Sequence, residues 1–160
     1  MSRRPLLLSL PLVLLGPTIS EGDARLPTKC AWIPDSVLLR SRVQDWLRSA
    51  VTVLEARATV VGVFTDTGIV NRYAPSASGP IGAEVIVSRW WKGRTTDTVF
   101  VAWQPSANEV ISEVFPLVAG QRYVLFLSRR GGHYWSGGCG GSSGGPRADS
   151  IAVVLDSLSR

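Results

Sequence analysis

The start of the chain restricts the fold before any strand or helix is assigned. Arg3 and Arg4 precede Leu6-Leu7-Leu8-Ser9-Leu10-Pro11-Leu12-Val13-Leu14-Leu15. A short basic segment followed by about ten apolar residues has the pattern of a secretory signal peptide. A bilayer-spanning helix needs about 20 apolar residues, so the run is too short to persist as an anchor. Residues 1–24 are therefore expected to be a signal peptide, cut after Ser20 or Ala24. Residues 25–160 are then expected to form a single domain in a secreted or periplasmic location, with no stable membrane span after cleavage. Export carries Cys30 and Cys139, the only two cysteines, into an oxidising compartment, where an even pair is expected to form a disulfide. Closing a loop on the order of 100 residues removes about 4–5 kcal/mol of chain entropy from the unfolded state in the entropic account. The domain must then bring its beginning and its end together.

The remaining pattern is dominated by strands. Asp35 offers a helix N-cap, and Val43, Trp46, Leu47, Ala50, Val53, Leu54 and Ala58 recur at three- and four-residue spacing. Ser41, Asp45, Arg48, Thr52 and Glu55 fall opposite them. This spacing predicts an amphipathic helix over about residues 36–57. Thr59-Val60-Val61-Gly62-Val63-Phe64-Thr65 is β-branched and ends at Asp66-Thr67-Gly68, which predicts a strand. Pro75, Ser76, Ser78, Gly79 and Pro80 mark a loop. The apolar runs 83–91 and 98–103 flank Lys92-Gly93-Arg94-Thr95-Thr96-Asp97 and predict a hairpin. Tyr123-Val124-Leu125-Phe126-Leu127 is apolar on both alternating faces, as expected for a strand covered on both sides. His133-Tyr134-Trp135-Ser136 is expected to be the last strand. Ile151, Val154, Leu155 and Leu158 predict a short closing helix. The expected fold is mainly β: a small closed or partly closed antiparallel barrel of about five strands with a helix at each end. An OB-type barrel fits this order, and a β-sandwich accommodates the same strands.

Several short segments recur in a telling order. A cysteine near the mature start is followed by Val61-Gly62-Val63-Phe64, by Trp90-Trp91-Lys92-Gly93, by Ala119-Gly120-Gln121-Arg122-Tyr123-Val124-Leu125-Phe126-Leu127 and by Ser136-Gly137-Gly138-Cys139-Gly140. The series resembles the netrin-like module shared with the tissue inhibitors of metalloproteinases, especially its bacterial relatives, and covers about residues 30–158. The resemblance implies an OB-type barrel with the N-terminal segment clamped by Cys30–Cys139, and binding without chemistry. It also implies that Cys30, were it the first mature residue, would present its amine and carbonyl to a protease zinc. Both cleavage sites leave residues ahead of Cys30, and Cys30-Ala31-Trp32 lacks the second cysteine of the animal inhibitors.

The residues themselves give little chemistry. One histidine, His133, precedes Cys139 by six residues, and a Cys139/His133 thiol hydrolase needs both cysteines unpaired. A single histidine with two pairing cysteines does not make a four-ligand zinc site. The acids lack calcium-loop spacing, and the glycine-rich tract at 137–145 lacks a phosphate-loop ending. No cofactor or metal is expected. The net charge of +5 is almost all arginine, since only Lys29 and Lys92 are lysines, and it favours acidic partners such as an anionic surface polymer. Trp90 and Trp91 are consecutive, so one of them leaves the core face of its strand. With Arg89, Lys92 and Arg94 nearby it can anchor a partner.

The chain is therefore expected to be an exported, non-catalytic binding module for a protein or an envelope or surface polymer. The expected contacts are Cys30, Ala31 and Trp32 together with Trp91, Lys92 and Arg94. Metalloprotease inhibition through the Cys30 segment is the alternative, and nucleic acid is not an expected partner of an exported chain.

Overall fold

The computed structural model describes residues 36–70, 78–94, 96–106, 114–137 and 140–160. Helix α1 (Ser36–Ser49) leads into β1 (Thr52–Thr65), followed by β2 (Gly68–Val70), β3 (Ile81–Lys92), β4 (Thr98–Gln104), β5 (Arg122–Arg130), β6 (His133–Ser136), β7 (Ser143–Gly144) and helix α2 (Gly145–Leu158). The fold is mainly β. The strands form one sheet in the order β2-β1-β3-β4-β6-β5-β7, and a further pairing of β1 with β5 closes five of them, β1-β3-β4-β6-β5, into a ring.

Helix α1 ends earlier than its periodicity predicts. Residues 52–58 satisfy both a helical spacing and a two-residue alternation, in which Leu54, Ala56 and Ala58 share one buried face. Tertiary pairing selects the strand: residues 52–57 bond to β5, while residues 53–58 bond to β3 on the other side. Strand β1 is thus paired along both edges, and three register shifts against β3 bend it as β-bulges do. Its far end still reaches β2.

The predicted hairpin is present, with Glu84 opposite Phe100 and Val85 opposite Val99. Strand β6 follows β5 directly, with Arg130 opposite His133, but β7 comes later, so β6 is not the last strand. The expected all-antiparallel closure is also corrected. β4 and β6 run parallel, joined at Val101–Tyr134 and Ala102–Trp135. The reason is parity: a ring with an odd number of strands cannot alternate direction at every contact.

Two apolar clusters hold these elements. Leu54, Ala83, Val85, Val101, Trp103, Tyr123, Leu125 and Leu127 fill the ring interior. Val53, Val124 and Phe126 point outward and pack against Val43 of α1 and Ala148, Ile151 and Leu155 of α2. Strand β5 is therefore buried on both faces, as its uninterrupted apolar run predicts. The closing helix forms with Pro146 in its first turn, where the missing N–H costs no helical bond. Among the described residues no helix is long and apolar enough to cross a membrane.

Leu125→Ala removes a side chain with no solvent exposure from the ring interior. It is expected to lower stability by about 2–5 kcal/mol. Val153→Ala, on the exposed side of α2, should change it by less than about 0.5 kcal/mol. Urea unfolding followed by tryptophan fluorescence checks both.

Candidate functional site

The residues that leave the ring on the side away from the helices gather into one aromatic group. Phe64 comes from the end of β1, Phe100 from β4 and His133 from the start of β6. The two phenylalanine rings lie 4.8 Å apart at 33°. His133 meets Phe64 edge-on at 5.1 Å and Phe100 at 6.0 Å. Such tilted and edge-on arrangements satisfy the ring quadrupoles. Strand β3 runs between Phe64 and Phe100, and Gly82 makes their contact possible. A Cβ on Gly82 would sit 2.5 Å from the Phe100 ring, so any side chain there would push the ring off the strand and away from Phe64.

Beside this group lies an open cleft of about 310 Å³, lined by Phe64, Thr65, Asp66, Gly79, Pro80 and His133. Its walls are braced by the backbone: Phe64 N–H donates to the Pro80 carbonyl at 3.0 Å. Thr65 Oγ1 donates to the Gly68 carbonyl at 2.8 Å. Aromatic faces, a hydroxyl and a carboxylate equip the cleft for a ligand with both apolar and hydroxyl-bearing surfaces. Among the described residues no group of three histidine, cysteine, aspartate or glutamate side chains could hold a metal ion.

The contact residues expected from the sequence are distributed differently. Cys30, Ala31, Trp32 and Cys139 lie outside the described residues, as does the disulfide expected between the two cysteines. Trp90 and Trp91 do leave β3 on opposite faces. Trp90 packs toward the ring interior, and Trp91 packs against the helix cluster, so both faces of the strand are covered. The Trp91 indole Nε1 donates to Asp156 Oδ1 of α2 at 2.8 Å. Arg89 grips both oxygens of the same carboxylate at 2.7 and 2.8 Å and stands over the Trp91 ring at 5.5 Å. Lys92 Nζ donates to the Leu47 and Arg48 carbonyls at 2.8 and 3.1 Å, where it caps the last turn of α1 and complements the negative end of its dipole. Trp91 and Lys92 therefore tie the two helices to β3, and of the three hairpin residues only Arg94 is exposed.

The aromatic group was not legible as a site in the sequence. Phe64, Phe100 and His133 lie far apart along the chain, and neither the Val61–Phe64 segment nor the His133–Cys139 spacing brings the three together. The nearest signal was the run Arg129-Arg130-Gly131-Gly132-His133-Tyr134-Trp135, a two-residue turn flanked by cations on one side and rings on the other. Comparison of the sequence with protein-family models and with curated proteins finds no match to either.

The indole of Trp91, then Arg89, hold the Asp156 carboxyl below its ordinary value. A depressed carboxylate stabilises the fold above its unfolded-state value and loses that contribution as pH falls through its folded-state value. Asp156→Asn is therefore expected to lower the melting temperature at pH 7. The gap to the parent should close as pH drops below about 4, as thermal melts across the acid range would record. Lys92→Met is expected to cost about 1 kcal/mol through the uncapped α1 carbonyls, measurable by chemical unfolding.

Proposed function

We propose that the protein is an exported, non-catalytic binding module of the OB type, netrin-like in organisation, whose partner docks on the ring face carrying Phe64, Phe100 and His133. The observation that carries the reading is the convergence of these three rings beside the Thr65–Asp66 cleft, on the side that the helices leave uncovered. The strand order β1-β3-β4-β6-β5, with its single parallel contact, supports an OB-type barrel. In such barrels the face of the second and third strands, here β3 and β4, is the customary ligand surface. Export and the Cys30–Cys139 bridge complete the proposal on the strength of the N-terminal segment and the cysteine count.

The thiol-hydrolase alternative would need an unpaired Cys139, which lies outside the described residues. His133 itself is packed against the Phe64 and Phe100 rings.

Two measurements on the naturally exported protein test the reading. Intact mass with and without reductant is expected to show a chain that begins after residue 20 or 24 and gains two hydrogens on reduction. A free Cys139 thiol, detected by alkylation, would contradict the non-catalytic reading. Co-sedimentation with envelope material from the exporting cells is expected to be saturable. Phe64→Ala and His133→Ala should weaken it by about tenfold, while Val153→Ala, exposed on α2, should not. Equal binding by all three variants would remove the aromatic face from the proposal.

A further inference from the structure

The β5–β6 hairpin carries a second constellation next to this face. Its turn is Gly131–Gly132, with φ of +56° and +83°. Positive φ at both positions is what a type I′ turn requires, and that turn matches the twist of the flanking strands. The register is fixed, with Arg130 opposite His133 and Arg129 opposite Tyr134. The Arg129 guanidinium stands over the Tyr134 ring at 5.8 Å, and that of Arg130 stands over Trp135 at 5.8 Å. Trp135 Nε1 donates to the Arg130 carbonyl at 2.9 Å, which fixes the indole beneath its cation. Among the described residues no carboxylate pairs with either arginine, whereas Arg48, Arg89 and Arg122 each hold at least one.

A guanidinium held over a ring by its charge keeps N–H groups for an oxyanion, which it can match in two parallel hydrogen bonds. The ring contact also restricts the side chain in advance, which reduces the entropy lost on binding. Alternation along the strands places Arg129 and Tyr134 toward the ring interior, and Arg130, His133 and Trp135 on the outer face. Two ordered cations on opposite sides of one hairpin suit successive anionic groups of a polymer better than a single small anion. From Trp135 and His133 the outer face continues to Phe100, Phe64 and the hydroxyl- and carboxylate-lined cleft. Those rings offer flat surfaces to the C–H faces of sugars, and the cleft offers partners for their hydroxyls. The tip itself is glycine, with no apolar side chain to insert into a bilayer.

The geometry points to an acidic polysaccharide as the partner, gripped through Arg129 and Arg130 of the β5–β6 hairpin. This deepens the binding-module reading and rests on it. The net charge of +5 assists by drawing a polyanion toward the surface.

Titration of the exported full-length protein with soluble polygalacturonate tests the inference, with dextran and phosphatidylglycerol vesicles as comparisons. The parent is expected to bind polygalacturonate, to ignore dextran and to release the polymer as salt is raised. The double variant R129Q/R130Q should lose about tenfold or more in affinity with an unchanged melting temperature, since both side chains are exposed. R42Q, an exposed arginine of α1, should bind within about twofold of the parent, because charge alone is then not the determinant. Parental affinity in R129Q/R130Q, an equal loss in R42Q, or capture of the vesicles without the polymer would each overturn the inference. The polymer's chain length after incubation separates this inference from the reading beneath it. Binding through the hairpin with shortening of the polymer would support the site and refute a non-catalytic module. Envelope binding without polygalacturonate binding would refute the hairpin's role and leave the module standing.

Discussion

Residues 52–57 of β1 pair with residues 127–122 of β5, and the other elements take their places from that contact. It joins the first strand to one that begins some 70 positions later, so it closes the ring over everything between them. It also makes β1 a strand bonded on both edges, which is why the bulges matter: a straight strand could not follow β5 at its start and β2 at its end. Closure fixes the inside and outside of each strand. Leu54 and Leu125 then share one interior, while Val53, Val124 and Phe126 are committed to the opposite side and require a cover. Helices α1 and α2 supply it. The Arg122 guanidinium bonds Glu55 of β1 and Asp149 of α2 together, linking the closure to its cover.

The division of the outer surface follows from the same closure. The helices lie over β5 and are fastened to the end of β3 through the Asp156 carboxylate and the Lys92 ammonium. What they leave uncovered is the far end of β1 and β3 with β4 and the start of β6, and there half-buried aromatic rings gather. A glycine in the intervening strand lets two phenylalanines from non-adjacent strands touch. The supposed contact tryptophan, by contrast, is part of the fastening. Side chains that look adhesive in a sequence are thus divided between holding the molecule together and facing outward.

Much of this was visible in the residues alone. The hairpin at 83–103, the strand apolar on both faces at 123–127 and the helix at 148–158 all follow from patterns that burial enforces locally. The consecutive Trp90 and Trp91 do point to opposite faces, but the outward one is covered by the helices and does not stand free for a partner. The misreadings have physical causes. Residues 52–58 carry two periodicities at once, and only pairing with distant strands selects one of them. The parallel contact of β4 with β6 leaves no local signature, although counting five strands in a closed ring already demands it. The aromatic face depends on which residues end up over Gly82, a fact of register that no spacing encodes. Asp156, the acid that binds Trp91 and Arg89, looks in the sequence like any polar residue of an amphipathic helix.

Strand β5 outruns its partner. Its pairing with β1 ends at Leu127, so residues 128–130 bond only to β6, which is itself held to β4 at Tyr134 and Trp135. No strand pairing passes through the Gly131–Gly132 tip. The charge and length of residues 129–132 can therefore change at least cost to the fold, while His133 stays packed against Phe64 and Phe100. Such a chain can acquire a new ligand preference as one changes the bit of a tool, by replacing the end and keeping the handle.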